Sequence, residues 1–169
     1  MTDNVKSMGK VMIAIALVLA LGLLTWIFQG AINRQYNPNQ TVQTGQITDQ
    51  YIEIVLKRNR AGHYVTSGRI NGYPSVFLLD TGATYVAVPE SLAIKIGLKK
   101  GMPVSLSTAN GRTTGFQTTI DELGIGKIRL RNIRAVITPN LSEVLLGMSV
   151  LKQLEFTQKG GVLTVRQYF

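Results

Sequence analysis

The sequence contains no cysteine and a single histidine, and these two shortages exclude several kinds of chemistry. Without cysteine there is no disulfide, no thiol nucleophile and no thiolate metal site. With only His63, no metal site that needs two or more histidines can form. A Gly-x-x-x-x-Gly-Lys-[Ser/Thr] phosphate loop is also missing. We therefore expect no metal and no cofactor, and we expect any chemistry to depend on carboxylates or hydroxyls.

Acidic residues are scarce, since 18 Lys and Arg stand against 9 Asp and Glu, for a net charge of +9. Such a balance suits nucleic acid or an anionic membrane surface. Aromatic residues do not interleave with the cations, so we expect no nucleic-acid partner. We interpret the basic clusters as solvated faces, with lipid headgroups as the alternative partner. The densest clusters are Lys57, Arg58 and Arg60, and Lys127, Arg129, Arg131 and Arg134.

A long uncharged segment lies near the N-terminus, at residues 11–28. As a helix it would span roughly 27 Å, close to the ~30 Å hydrocarbon core of a bilayer. Lys6 and Lys10 precede it, and Arg34 is the first cation after it, which favours an N-terminus on the cytoplasmic side. We predict a cytoplasmic stretch at 1–10 and a single-pass anchor at 11–28 in the inner (cytoplasmic) membrane, with the rest on the periplasmic side. A cleaved signal peptide is the alternative, but the segment is long for one.

Beyond the apolar segment, residues 29–50 are rich in Gln, Asn and Thr and poor in apolar residues. We predict a polar linker there, because such a composition cannot bury enough surface to fold alone. Residues 51–169 alternate apolar and polar residues in short runs separated by turn residues. This pattern predicts an all-β barrel or sandwich with one or two short helices, one of them opening at Pro89.

An aspartate ends one apolar run, in the stretch "VFLLDTGATYVAVPE" from Val76 to Glu90. A carboxylate at the end of a buried strand is costly unless something uses it. Two such carboxylates close together share one proton, and the pair can activate a water for amide hydrolysis. Gly82 would let the turn approach substrate, the Thr81 hydroxyl could fix the turn, and Ala83 is small enough to leave the mouth open.

The segment "NGYPSVFLLDTGATYVAVPESLAIKIGL" resembles the active-site region of retroviral-type (retropepsin-like) aspartic proteases. The segment "VLLGMSVLKQLEF" resembles the family's second signature, and the Asn110-Gly111 hairpin falls where the family has its flap. With the apolar segment, the chain is similar to bacterial membrane-anchored members. The resemblance implies a closed retropepsin-like β-barrel over 51–169 that works as a homodimer on extended peptides.

The resemblance also assigns roles to residues. Asp80 would be catalytic, and Thr81, Gly82 and Ala83 would support its turn. The flap tip would consist of Ala109, Asn110, Gly111 and Arg112, and Leu145, Leu146 and Gly147 would pack behind the active-site turn. The chain departs from the family at Thr84 and Met148, where retroviral enzymes often carry charged residues.

These residues predict a membrane-anchored aspartic endopeptidase with one Asp80 from each of two chains. The alternative is a catalytically silent dimeric peptide-binding or adaptor module of the same fold, since a fold does not fix a function. A structural envelope component held to lipid by its cations is a third interpretation. Without function, Asp80 would be an ordinary turn aspartate and Asn110-Gly111 an ordinary hairpin turn.

Overall fold

A computed structural model describes residues 2–108, 111–139 and 141–169 of the chain. The chain divides into two compact units, Met1–Tyr36 and Asn37–Phe169. The first unit contains helix α1 (Thr2–Tyr36). Residues Met8–Tyr36 of this helix are long and apolar enough to cross a membrane, a test that a signal sequence also passes.

The second unit is mostly β, with two short helices. Its strands and helices, in chain order, are β1 (Gln43–Ile47), β2 (Tyr51–Lys57), β3 (Val65–Ile70), β4 (Tyr73–Leu79), β5 (Val86–Pro89), α2 (Glu90–Lys95), β6 (Pro103–Thr108), β7 (Gly111–Ile125), β8 (Ile128–Thr138), β9 (Val144–Leu146), α3 (Met148–Leu151), β10 (Glu155–Lys159) and β11 (Val162–Tyr168). Pro89, the last residue of β5, occupies the N-cap position of α2, so this helix begins at Glu90, one residue after the predicted start.

The strands form two sheets around one core. The small sheet has the order β1-β2-β11-β10, and the large sheet has the order β3-β4-β9-β5-β8-β7-β6. Apolar side chains from both sheets meet in a single buried cluster, which includes Ile54 and Val165 of the small sheet and Phe77 and Ile133 of the large one. Burial of this alternating set of side chains is the main force that holds the two sheets together.

Strand β9 lies between β4 and β5, although it comes more than fifty residues after them in the chain. It runs parallel to β4, with Leu79 opposite Leu146, and it pairs with β5 in the antiparallel direction at Ala87 and Leu145. The connection from β4 to β5 therefore has to cross the end of β9. Residues 80–85, which contain the Asp-Thr-Gly-Ala sequence, make this crossing.

The predicted fold class is confirmed at the level of a mostly β unit with few helices and an apolar N-terminal helix. Strand β3 also pairs with β7, through Arg69 opposite Gly124 and Ile70 opposite Leu123. Since this contact involves only two residue pairs, closure of the barrel stays a prediction.

The structure differs from the predicted linker at residues 29–50. Helix α1 continues to Tyr36, and the folded unit begins at Asn37 rather than at residue 51. The side chains of Asn37 and Asn39 are buried, and β1 pairs with β2. The reason is hydrogen bonding: Asn39 accepts from Lys57 N and donates to the carbonyls of Lys57 and Val65, so its polar atoms are satisfied inside the unit.

Candidate active site

Asp80 follows the last residue of β4 and is half-buried at the surface of the large sheet. Its N–H donates to the carbonyl of Leu146 at 3.1 Å, which ties its backbone to the end of β9. Its Oδ1 accepts a hydrogen bond from the N–H of Gly82 at 2.9 Å. This bond fixes the direction of the carboxylate, and an ordinary turn aspartate makes the same bond to the residue two positions on.

The residues that follow Asp80 form a tight, accessible turn. Thr81 and Gly82 are exposed, and Ala83 is partly buried. The N–H of Ala83 donates to the carbonyl of Asp80 at 3.3 Å, which closes the turn. A Cβ atom on Gly82 would lie 3.2 Å from Asp80 Oδ1, so a larger residue would crowd the carboxylate.

The predicted second signature contacts this turn directly. Leu146 is buried, Leu145 is partly buried, and Gly147 follows them at the end of β9. A Cβ atom on Gly147 would lie 2.2 Å from the carbonyl oxygen of Tyr85 and 2.5 Å from that of Ala83. Only glycine allows the backbone of residue 147 to approach the turn this closely.

Helix α3 also contacts the turn that follows Asp80. The N–H of Met148 donates to Ala83 O at 2.8 Å, and the N–H of Ser149 donates to Thr84 O at 2.9 Å. The structure therefore brings the Asp80 turn and the Gly147 region together, as the sequence predicts from the resemblance.

Sequence reasoning missed Ser149. Its Oγ accepts from the N–H of Val86 at 3.0 Å and donates to the carbonyl of Arg134 at 2.9 Å. One hydroxyl thus joins α3 to the start of β5 and to β8. A serine just after the predicted second signature was the available signal, but its partners, 63 and 15 residues away, could not be identified from the sequence.

The predicted flap hairpin consists of β6 and β7, which pair from Pro103–Phe116 to Thr108–Gly111. Gly111 has φ +105°, a conformation that glycine adopts easily and other residues rarely do. Thr108 Oγ1 donates to Gly111 O at 2.8 Å, and Arg112 is exposed. The other two predicted tip residues, Ala109 and Asn110, lie outside the described residues.

Asp80 does not line either of the two cavities that we find among the described residues. The larger, of about 790 Å³, lies between the loop after α2 and strands β7 and β8, and Tyr85 is the member of its lining nearest in sequence to Asp80. The smaller, of about 250 Å³, lies beside β4 and the start of β9. In the single chain, Asp80 is half-buried and lies outside both of these cavities.

Comparisons with known proteins match the part of the chain that contains this site. Residues 66–153, just over half of the chain, match the model of the family described as gag-polyprotein putative aspartyl protease. An uncharacterized protein in the cobV 5′ region of Sinorhizobium sp is 38% identical over 111 residues, which are 63% of this chain and 48% of that protein. The uncharacterized protein RP867 of Rickettsia prowazekii (strain Madrid E) is 30% identical over 107 residues, 61% of this chain and 46% of that protein. The chain thus spans about half the length of these curated relatives.

A solved structure shares the fold. The crystal structure of a retropepsin-like aspartic protease from Rickettsia conorii matches with a TM-score of 0.60 and 29% identity. The match covers 76% of this chain and 96% of that one.

Proposed function

Because the chain belongs to the gag-polyprotein putative aspartyl protease family, we propose that it is an aspartic endopeptidase whose active site forms between two copies of the chain. The observation that carries this proposal is the position of Asp80. Its carboxylate accepts a hydrogen bond from Gly82 N–H, it stands on a turn supported by Gly147 and α3, and it is half-buried at the surface of the unit.

One chain supplies a single Asp-Thr-Gly sequence, whereas this chemistry needs two carboxylates. A second copy related by a twofold axis would bring a second Asp80 to the first, because an isologous interface places the same residue on both sides. Exposure of Thr81 and Gly82 beside Asp80 supports this arrangement, since a partner could contact the turn there.

In the proposed mechanism, one Asp80 of the pair is ionised and the other is protonated. The ionised carboxylate takes a proton from a bound water as the water oxygen attacks the carbonyl carbon of the peptide bond. The protonated Asp80 donates its proton to the carbonyl oxygen, which gives a tetrahedral gem-diol. The Asp80 that took the proton from water then gives it to the amide nitrogen, and the other Asp80, now ionised, takes a proton from one hydroxyl of the diol. The C–N bond breaks, which releases a carboxylic acid and an amine and leaves one Asp80 ionised and one protonated, as at the start.

The proposed substrate is an extended peptide. Strand β6 ends the order of the large sheet, and it pairs with β7 on one side. An open strand edge beside a hairpin can accept a peptide by strand addition, with backbone hydrogen bonds providing affinity. Helix α1 would anchor the protein in the inner membrane, with the N-terminus inside and the protease unit on the periplasmic side.

The test uses the full chain, purified in detergent and incubated with an unstructured protein from acidic to neutral pH. Fragments are identified by mass spectrometry. Asp80→Asn, a nearly isosteric change, should abolish cleavage, whereas Asp49→Asn, the same change in an exposed turn, should leave it intact. Cleavage that survives Asp80→Asn would overturn the proposal. A folded dimer that never cuts would favour the peptide-binding module.

Mixing the two forms tests whether the site is shared. If each site needs Asp80 from both chains, equal amounts of parent and Asp80→Asn, co-refolded or co-expressed, should keep about one quarter of the activity, because only parent–parent pairs are active. A loss to about one half would instead indicate that each chain carries a complete site.

A further inference from the structure

Four basic side chains gather at one end of the small sheet. Lys57 ends β2, Arg58 and Arg60 follow it in the β2–β3 connection, and Lys159 ends β10. Val162 pairs with both Lys57 and Lys159, so the end of β2 lies beside the β10–β11 turn. The N–H of Arg58 donates to Gly161 O in that turn at 2.9 Å. We call these four residues the cationic pole.

The cationic pole is accessible and has no acid in its own segments. All four side chains are exposed. Residues 37–41, 57–63 and 158–162, which make up this end of the unit, contain neither Asp nor Glu. By contrast, Arg166 in the same sheet donates to Glu53 at 2.8 Å and to Glu155 at 3.2 Å. Arg166 thus has acidic partners in the middle of the sheet, whereas the four cations of the pole are exposed to solvent at its end.

The pole is also the place where the chain enters the folded unit. Asn39 receives a hydrogen bond from Lys57 N at 2.7 Å and donates to Lys57 O at 2.9 Å. Its carbonyl accepts from Ser67 N, and its own N–H donates to Asn37 Oδ1. Asn37, the first residue of the unit, donates to Ser67 Oγ of β3 at 3.0 Å, two residues before the contact of Asn39 with the end of β2, and it is covalently joined to Tyr36, the last residue of α1.

The length of α1 beyond its apolar part limits how far this attachment point can lie from a bilayer. Asn37 is nine residues after Phe28, which is roughly 14 Å along a helix at about 1.5 Å per residue. The headgroup layer accounts for roughly 5–8 Å of that length. The remainder is on the order of one Debye length, about 8 Å at physiological ionic strength, so charges at the pole would be only partly screened from the lipids.

We propose that the cationic pole is a lipid-contacting surface that binds the anionic headgroups of the membrane in which α1 is anchored. This inference rests on the proposed anchor. Asn37 and Asn39 are buried in the folded unit, so residues 37–39 belong to that unit and are not a free tether. Contact at the pole would hold the unit in one orientation on the bilayer surface.

An anionic bilayer fits the pole better than a nucleic acid does. Tyr and Trp side chains, on which bases stack, are missing from residues 57–63 and 158–162. Lysine and arginine near a membrane surface attract anionic lipids without any defined geometry. Four exposed cations beside a membrane attachment point match this requirement.

The test labels the full chain at one residue, which is straightforward because the natural chain has no cysteine. Ala61→Cys places a fluorophore at the pole, and Gln50→Cys places it at the other end of β2, roughly 20 Å away at about 3.3 Å per residue. The protein is reconstituted into vesicles of phosphatidylcholine, alone or with phosphatidylglycerol, that carry a headgroup-linked quencher. Retention after an alkaline wash is measured on the same vesicles.

We expect about twofold or greater quenching at Ala61→Cys over Gln50→Cys in phosphatidylglycerol vesicles, reduced by high salt. Replacing Lys57, Arg58 and Lys159 with Gln should remove this difference. Replacing Lys95, Lys99 and Lys152 with Gln removes the same charge elsewhere and should leave it unchanged. Retained protein with equal quenching at both sites would overturn the inference but not the anchor, whereas loss of the protein in the alkaline wash would overturn both. Neither result bears on the proposed peptidase activity, which the cleavage assay tests separately.

Discussion

Gly147 lies so close to Tyr85 that a Cβ atom built on it would be 2.2 Å from the Tyr85 carbonyl oxygen. The φ of Gly147 is −88°, a value that any residue can adopt, so the restriction is one of space rather than of backbone conformation. The obstacle is backbone on the turn that carries Asp80, and backbone cannot rotate away as the end of a side chain can. The separation between β9 and the Asp80 turn thus depends on the absence of a Cβ atom at Gly147.

Gly147→Ala should therefore displace the Asp80 turn. We expect a loss of about 1–3 kcal/mol in the free energy of unfolding, as for overpacked cores, together with a larger fractional loss of peptide cleavage. Gly30→Ala adds the same methyl group where nothing lies within 4 Å and should change neither quantity. Thermal unfolding and the cleavage assay check both. Full activity in Gly147→Ala would show that the turn tolerates the displacement.

Ser149→Ala should weaken the support of the turn without adding volume. The change leaves the N–H of Val86 and the carbonyl of Arg134 without the Oγ that each contacts. Loss of these bonds costs about 1–3 kcal/mol of stability. Ser149→Thr keeps the hydroxyl and should restore most of that loss, whereas Ser91→Ala, at an exposed position in α2, should have no effect. Equal stability of Ser149→Ala and parent would remove Ser149 from the support of the site.

Part of the site was readable in the sequence because it breaks a local rule. Asp80 interrupts an apolar run, and Gly111 sits where a hairpin turn needs positive φ, so each is visible within a short window. The assignment of Gly147 came from the family resemblance alone. Its physical reason, the insertion of β9 between β4 and β5, is a long-range pairing that local periodicity cannot show.

Asn37 and Asn39 show what sequence analysis could not predict, because they belong to the fold although they lie in the predicted linker. Their neighbourhood has the composition of a polar linker, and composition measures how much apolar surface a segment can bury. Composition does not show whether backbone groups that are distant in the sequence can form hydrogen bonds with a side-chain amide. The partners of Asn39 are 18 and 26 residues away, at Lys57 and Val65. Strand β1 was missed for the same reason, since all five of its residues are exposed and only its pairing with β2 defines it.

Glu143 provides a pH-dependent contribution to stability. Desolvation by burial raises the pKa of its carboxyl above the ordinary value of 4.5. The folded state therefore holds this proton more tightly than the unfolded state does, and stability falls as pH rises through the raised value. Glu143→Gln stays neutral, so its melting temperature relative to that of the parent should increase from acidic toward neutral pH. Glu122→Gln, at a partly buried residue paired with Arg129 and Arg131, should show no such gain. A constant difference for Glu143→Gln across this range would contradict the assignment.

The hydrogen bonds of Asn39 and the pairing of β1 with β2 make residues 37–47 part of the fold, and removing the Asn39 bonds should destabilise the folded unit. Asn39→Ala leaves the N–H of Lys57 and the carbonyl of Val65 without their side-chain partner in a buried setting, which costs about 1–3 kcal/mol per group. Gln40→Ala, one residue further along and exposed, is the matched control and should unfold like the parent. Urea unfolding of the two variants measures the difference.

The same reasoning predicts that a chain cut to begin at Asn37 keeps the stability of the unit, whereas one cut to begin at Tyr51 loses it. Urea unfolding of the two shortened chains measures this second difference. If the chain that begins at Tyr51 is as stable as the one that begins at Asn37, residues 37–50 are a tether after all, and the attachment point beside Lys57 would no longer hold the unit close to the membrane.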